Sequence, residues 1–347
     1  MDKGRILIVD DDEDILTLVA HLLGKAGYEI LTVNDSGKAY EKIIEFSPDM
    51  IILDFMMPGI NGEELMKIIK SGSLTGQIPI MFLSAVSMPD QIRGKLRAGA
   101  FDYLTKPIHP DVLRAKVDIA MENIKHAKMV HNIISRYLGP DVAKMIMNEP
   151  EQVKVYGIRK PIVCMFVDIR GFTSLVETME PEEIVKLLNA VLTDLSDAIF
   201  SIGGTIDKFM GDGLMAFWGA PLPADNIEIL AVEAAILMLR KLRTFNRERR
   251  YPGGLEILVG IGISFGEAVV GNIGSEKRSD YTVIGESVNV AARLEKMAKP
   301  EQILIDEGMY KKVKNDYPCK EVGELDIKGK TFPINVYEIV VPLDSKE

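Results

Sequence analysis

Cysteine is nearly missing from this chain of 347 residues. The two present, Cys164 and Cys319, stand far apart and outside any CxxC pattern, which excludes a disulfide framework and a cysteine zinc site. A reducing, cytoplasmic setting fits that usage. Long apolar runs are missing too. The N-terminus, MDKGRILIVDDDED, turns acidic after its first apolar stretch, and nowhere does an uncharged run approach the roughly 20 residues of a membrane helix. Neither an export signal nor a membrane anchor is expected. Positive charge is in deficit as well: 41 Lys and Arg against 51 Asp and Glu leave a formal net charge of -10. A nucleic-acid surface would have to work against that field, so no nucleic-acid partner is expected.

What is present suits two globular domains: 47% of residues are hydrophobic and 27% charged, enough for two ordinary cores. Up to about residue 120, short apolar runs (RILIVD, YEILTV, DMIILD, IPIMFLS, FDYLTK) alternate with amphipathic segments such as EDILTLVAHLLGKAG. That pattern predicts an α/β, doubly wound, flavodoxin-like parallel sheet, which binds ligands at the carboxyl ends of its strands. The polar residues gather at those ends: Asp10, Asp11 and Asp12 after the first, Asp54 after the third, Ser84 after the fourth, Lys106 after the fifth. Alone, each is an ordinary turn residue. Together, carboxylates on one rim make a hard oxygen site for a small divalent cation, and the lysine balances an added anion, as a phosphoryl acceptor requires.

The stretches LIVDDDED, IILDFMMPGINGEEL, FLSA and YLTKP resemble the receiver domain of two-component response regulators. The resemblance implies that Asp54 is the phosphoacceptor, and that Asp10 and Asp11 hold Mg²⁺ with the Met56 carbonyl. It implies that Ser84 hydrogen-bonds the phosphoryl group, that Lys106 pairs with it, and that Tyr103 is an aromatic switch. A sensor histidine kinase or phosphotransfer protein would be the phosphoryl source. Beyond it, Leu113, Val117, Ala120, Ile124, Ala127, His131, Ile134 and Leu138 follow a spacing of fours and threes. This heptad seam predicts that the last receiver helix continues into a parallel coiled coil, with Gly139-Pro140 punctuating it. His131, its one polar residue, reads as facing solvent. The expected divisions are 1–122 for the receiver, 123–158 for the helical linker and 159–342 for a second domain.

In that second domain, PIVCMFVDIRGFTSLVE reads as a buried strand ending at Asp168, and GGTIDKFMGDGLMAFWG as a buried hairpin around Gly211-Asp212-Gly213. The two aspartates then lie at strand ends able to face one another. Oxygen ligands without histidine or cysteine suit Mg²⁺ or Mn²⁺.

The segments FVDIRGFT, DKFMGDGLMAFWG, DYTVIGESVNVAARLE and LDIKGK occur in this order and resemble the class III nucleotide cyclases, an α+β, ferredoxin-like fold. By that resemblance Asp168, Asp212 and the Ile169 carbonyl hold two metal ions. One would lower the pKa of the ribose 3′-hydroxyl and the other would hold the triphosphate. Asn289 would position the ribose, Arg293 would stabilise charge at the α-phosphate, and Lys328 would bind the triphosphate. The base-reading positions are Lys208 and Thr282. A lysine only donates, and adenine N1 accepts where guanine N1 carries hydrogen, so ATP is favoured over GTP; threonine can donate or accept. Metal-binding and base-reading residues belong to opposite sides of a composite site in this family, so one copy implies a homodimer. The expectation is a phosphorylation-regulated adenylyl cyclase, with a guanylyl cyclase or a non-catalytic nucleotide-sensing dimer as alternatives. A GGDEF-type diguanylate cyclase signature is absent.

Overall fold

Each of the five apolar runs at the start of the chain forms a strand in the computed structural model, which describes residues 3–72, 75–84, 100–148, 156–177, 179–248, 256–275, 277–325 and 333–341. The chain divides into two compact units, Met1–Val130 and His131–Glu347. In the first, β1 (Arg5–Val9), β2 (Glu29–Val33), β3 (Met50–Asp54), β4 (Ile80–Ser84) and β5 (Asp102–Thr105) form a parallel sheet in the order β2-β1-β3-β4-β5.

Both faces of that sheet are covered, which is why its inner strands β1, β3 and β4 read as near-continuous apolar runs. Ile6, Ile8, Ile52 and Leu83 pack against α1 (Glu13–Lys25) and α4 (Pro110–Leu138), while Leu7, Val9, Ile51 and Phe82 pack against α2 (Ser36–Phe46) and α3 (Gly62–Ser71). Caps set where the helices begin. The Asp12 carboxylate accepts from the N–H groups of Asp14 and Ile15, and Asn61 with Glu64 forms a reciprocal capping box. At Gly62 a Cβ would come within 2.2 Å of the Asp54 carbonyl oxygen, so only glycine lets α3 start against the backbone of that strand end.

The second unit is built on an eight-stranded sheet. Its strands are β6 (Tyr156–Ile169), β7 (Thr205–Met210), β8 (Gly213–Trp218), β9 (Val259–Ser275), β10 (Arg278–Gly285), β11 (Ile303–Asp306), β12 (Cys319–Leu325) and β13 (Ile334–Ile339). The order is β12-β13-β11-β9-β6-β8-β7, with β10 paired to β9. Its helices are α5 (Pro140–Asn148), α6 (Phe172–Val176), α7 (Pro181–Ser201), α8 (Ile227–Glu248), α9 (Glu286–Met297) and α10 (Glu307–Val313). Alternate residues of the central strands serve two cores. On one face Val163, Met165, Ala216 and Trp218 pack with Val191 and Leu195 of α7 and with Ala235 and Met238 of α8. Ile162, Cys164, Phe166, Met215 and Phe217 face the other way, toward Val283 of β10 and Ala291 of α9. Trp218 is fully buried, and its Nε1 donates to the Ile202 carbonyl at 3.1 Å.

The seam along α4 divides in two. Leu113, Val117 and Ala120 are fully buried in the first unit's core, so that half is already covered. Farther along, Ala127 and Leu138 are exposed and Ile124 and Ile134 only partly buried. His131 does not simply face solvent: its Nδ1 lies 3.1 Å from Met147 Sδ of α5, and its Nε2 lies 3.4 Å from Ser135 Oγ. Among the described residues no helix is long and apolar enough to cross a membrane.

Candidate functional sites

In the first unit the strand-end residues converge, apart from Asp12, whose carboxylate caps α1. Asp10 is fully buried, Asp54 nearly so, and Asp11 is exposed. Lys106 Nζ lies 2.8 Å from Asp10 Oδ2 and 2.7 Å from Asp54 Oδ1. The remaining oxygens accept backbone N–H groups, Asp10 Oδ1 from Asp12 at 3.0 Å and Asp54 Oδ2 from Met56 at 2.8 Å. Burial pushes the Asp10 carboxyl above its ordinary pKa, against the pull of Lys106. Burial pulls Lys106 down, but its bonds to Asp10 and Asp54 outweigh that and leave it raised. One carboxylate oxygen from each of Asp10, Asp11 and Asp54 lies within 4.8 Å of the others, a donor set that fits a small hard cation. Ser84 is buried at the end of β4, and its carbonyl accepts from Lys106 N–H at 2.9 Å. Tyr103 is half-buried on β5, with Lys116 Nζ 5.4 Å from its ring centroid. The Met56 side chain is exposed.

In the second unit the β7–β8 turn has two residues, Gly211 and Asp212, because Gly213 already pairs as the first residue of β8. Gly211 has φ +69°, the positive value that a Gly-first hairpin turn uses. The hairpin is only half buried: β8 is buried throughout, whereas Lys208, Phe209 and Met210 of β7 are exposed. Asp212 therefore stands at a rim. Asp168 pairs with Gly213 on one side and Gly260 on the other. A Cβ at Gly213 would lie 2.5 Å from the Val167 carbonyl oxygen and 2.9 Å from Asp168 Oδ1, so the hairpin closes on this carboxylate only with glycine there.

Charge is concentrated at that point. Burial raises the Asp168 pKa to about 6, Asp212 and Glu295 push the same way, and Arg170 opposes them. Arg170 is divided between two carboxylates: Nη1 lies 3.5 Å from Asp168 Oδ2, while Nη2 binds the Glu295 carboxylate and, at 2.5 Å, its carbonyl oxygen. Its buried Nε has no hydrogen-bond partner among the described residues. Oxygen donors that repel one another and share half a cation fit a hard divalent ion. Ile169 is buried and ends β6 opposite Val259.

Asn289 and Arg293 lie four apart on α9, away from the face that buries Val290, Ala291 and Leu294. Glu295 ties that helix to the residue that follows β6, Arg170. Lys208 and Thr282 are brought together by a residue the motif reading passed over. The Thr282 hydroxyl donates to Asp207 Oδ2, and Lys208 Nζ lies 3.1 Å from Asp207 Oδ1. The resemblance assigns no role to Arg170, Asp207 or Glu295, although they sit inside the stretches FVDIRGFT, DKFMGD and DYTVIGESVNVAARLE. Lys328 lies outside the described residues.

Comparison with known proteins agrees with this architecture. Residues 6–118 match the response regulator receiver domain, and residues 156–340 match the adenylate and guanylate cyclase catalytic domain. The chain is 40% identical over 188 residues to an adenylate cyclase of Anabaena cylindrica, a match covering 50% of this chain and 36% of that protein. It is 33% identical over 184 residues to adenylate cyclase 1 of Rhizobium meliloti (strain 1021), covering 52% of this chain and 28% of the relative. Among solved structures it resembles the adenylyl cyclase CyaB from P. aeruginosa, with 36% identity and a TM-score of 0.52 over 55% of this chain and 98% of the other. The matches thus span well under two thirds of the curated relatives' length. The chain belongs to the adenylate and guanylate cyclase catalytic domain family, and it carries a response regulator receiver domain ahead of that catalytic domain.

Proposed function

We propose that this protein is an adenylyl cyclase that converts ATP to 3′,5′-cyclic AMP and pyrophosphate at a homodimer interface, under control of phosphorylation at Asp54. The observation that carries the reading is the meeting of Asp168 with Asp212 across the β6–β8 pairing, where burial and mutual repulsion hold Asp168 near pKa 6. Asp168, Asp212 and the Ile169 carbonyl are the groups to hold two Mg²⁺ or Mn²⁺ ions. When bound, these would supply charge stabilisation at the triphosphate and a lowered pKa at the ribose 3′-hydroxyl. Asn289 orients the ribose, so that its 3′-oxygen forms the new bond to the α-phosphorus as the bond to pyrophosphate breaks. Arg293 stabilises the charge that builds there, and Lys328 holds the triphosphate. Lys208 and Thr282 read the base, and the partner subunit completes each site.

In the first domain (1–122), Asp10, Asp11 and the Met56 carbonyl would hold Mg²⁺, Ser84 and Lys106 would bind the phosphoryl group, and Tyr103 would respond to it. A histidine kinase or phosphotransfer protein in the cytoplasm is the donor. The linker (123–158) carries the change to the catalytic domain (159–342) through the dimer. The test is cyclic nucleotide production by the purified protein from ATP and from GTP, with Mg²⁺ or Mn²⁺, with and without a small phosphodonor. Cyclic AMP as the main product supports the reading, and cyclic GMP in excess overturns the choice of base. Mixing inactive Asp212→Ala and Arg293→Ala chains should restore activity if each site draws on two subunits; failure to restore it removes the composite site.

A further inference from the structure

Neighbouring residues of a regular strand point to opposite faces of the sheet. Asp207 and Lys208 do not, because β7 is irregular at this point: Ile206 pairs with Ala216 and Lys208 with Met215, leaving Asp207 as the extra residue. Such a bulge sets two consecutive residues against one on the partner strand and re-aims their side chains. The Asp207 side chain is fully buried, while that of Lys208 is 47% exposed. One Asp207 oxygen accepts from the Thr282 hydroxyl; the other is 3.1 Å from Lys208 Nζ yet has no geometrically formed hydrogen bond among the described residues.

We infer that Asp207 is a positioning residue that fixes which way the base-reading pair hydrogen-bonds, and so makes it selective for adenine; this rests on the nucleotide cyclase reading above. A threonine hydroxyl has one proton and two lone pairs, and an ionised carboxylate can only accept. With its proton committed to Asp207, Thr282 offers the nucleotide lone pairs alone. Lys208 offers only donors. An adenine set with N1 toward Lys208 and its 6-amino group toward Thr282 satisfies both. A guanine in the same place sets N1–H against an ammonium and O6 against a lone pair, which leaves buried polar groups unpaired. Threonine, ambiguous by itself, becomes an acceptor through its neighbour. All three groups belong to one chain, so the inference does not depend on the dimer.

The test compares kcat/KM for ATP and GTP in the wild type, Asp207→Ala, Thr282→Val and the double variant, with thermal unfolding as a check on folding. Freeing the hydroxyl lets it donate to O6, so Asp207→Ala should lower the ATP:GTP ratio by about tenfold or more. In the Thr282→Val background there is no hydroxyl to turn, and the same substitution should leave the ratio unchanged. An unchanged ratio in Asp207→Ala, or an equal change in both backgrounds, overturns the inference. Should the alanine variant fail to fold, Asp207→Leu, which keeps much of the side-chain volume and has no acceptor for the Thr282 proton, carries the same expectation. Competition binding with 3′-deoxy-ATP and 3′-deoxy-GTP, which cannot cyclise, reads the preference without turnover. Wild-type protein that binds neither overturns both this inference and the cyclase reading, whereas cyclic AMP synthesis with an unresponsive ratio overturns this inference alone.

Discussion

The two units meet the same electrostatic problem to different degrees. Each gathers carboxylates at strand ends, where their repulsion must be offset. In the first unit Lys106 sits 2.7 to 2.8 Å from both Asp10 and Asp54, so a cation is part of the site. In the second, Asp168 and Asp212 have no such lysine among the described residues, and Arg170 is shared with Glu295. Each site sets three carboxylates against one cation and so keeps a surplus of negative charge that a bound cation would relieve, but in the first the lysine touches both buried carboxylates, whereas in the second Arg170 reaches Asp168 only at 3.5 Å and gives its closest contacts to Glu295.

The sharpest way to break the comparison is to remove an acid from the less compensated site. Asp212→Ala and Asp168→Ala should each lower cyclic nucleotide production by about a thousandfold or more, since several kcal/mol of metal-based stabilisation is lost. Asp54→Asn, at the lysine-bridged site, should leave basal turnover intact and abolish the phosphodonor response. Product assays on these variants beside the wild type distinguish the outcomes, and a normal phosphodonor response in Asp54→Asn removes the proposed control.

Next in size is Lys106→Ala. Removing one partner of a largely buried ion pair leaves Asp10 and Asp54 facing each other, at a cost of about 3 kcal/mol. Hydrogen exchange at the amides of β1 and β3 reads the first unit. Fluorescence of Trp218, the single tryptophan, reads the second and should not change. Adding Asp10→Asn to Lys106→Ala should recover much of the loss; no recovery would mean that the lysine stabilises by packing.

Much of this was legible in the residue pattern, for a physical reason. Strands covered on both faces must be apolar nearly throughout, so the inner strands of the first sheet show as continuous runs with polar residues at their ends. The Asp168–Asp212 pairing followed from a strand end and a glycine turn. The bulge at Asp207 was not legible, since alternation alone would send Asp207 and Lys208 to opposite faces. Nor was the division of the seam on α4, because periodicity shows that a face is apolar but not what covers it: Leu113 and Val117 are taken up by the first unit's own core. Asp12 reads as a fourth acid of the rim, yet its oxygen serves the first turn of α1.

The smallest effect reaches the difference between the sites through pH. Asp168 ionises in the folded, metal-free chain only near pH 6, against about 3.9 when unfolded. The preference of the fold for its protonated form is therefore fully present below about pH 4 and is lost as pH rises through about 6. Asp168→Asn, which never ionises, should stabilise the metal-free protein at pH 8 but not at pH 4. Because the side chain is 35% exposed, solvent screening reduces the gain to about 1 kcal/mol. Urea unfolding followed by Trp218 fluorescence in a chelator measures it. Excess Mg²⁺ should reverse the order at pH 8, since only the carboxylate gains from the ion. An Asn variant that is no more stable at pH 8 than at pH 4, relative to wild type, would mean that Arg170 already balances Asp168 and that the two sites are compensated to the same degree.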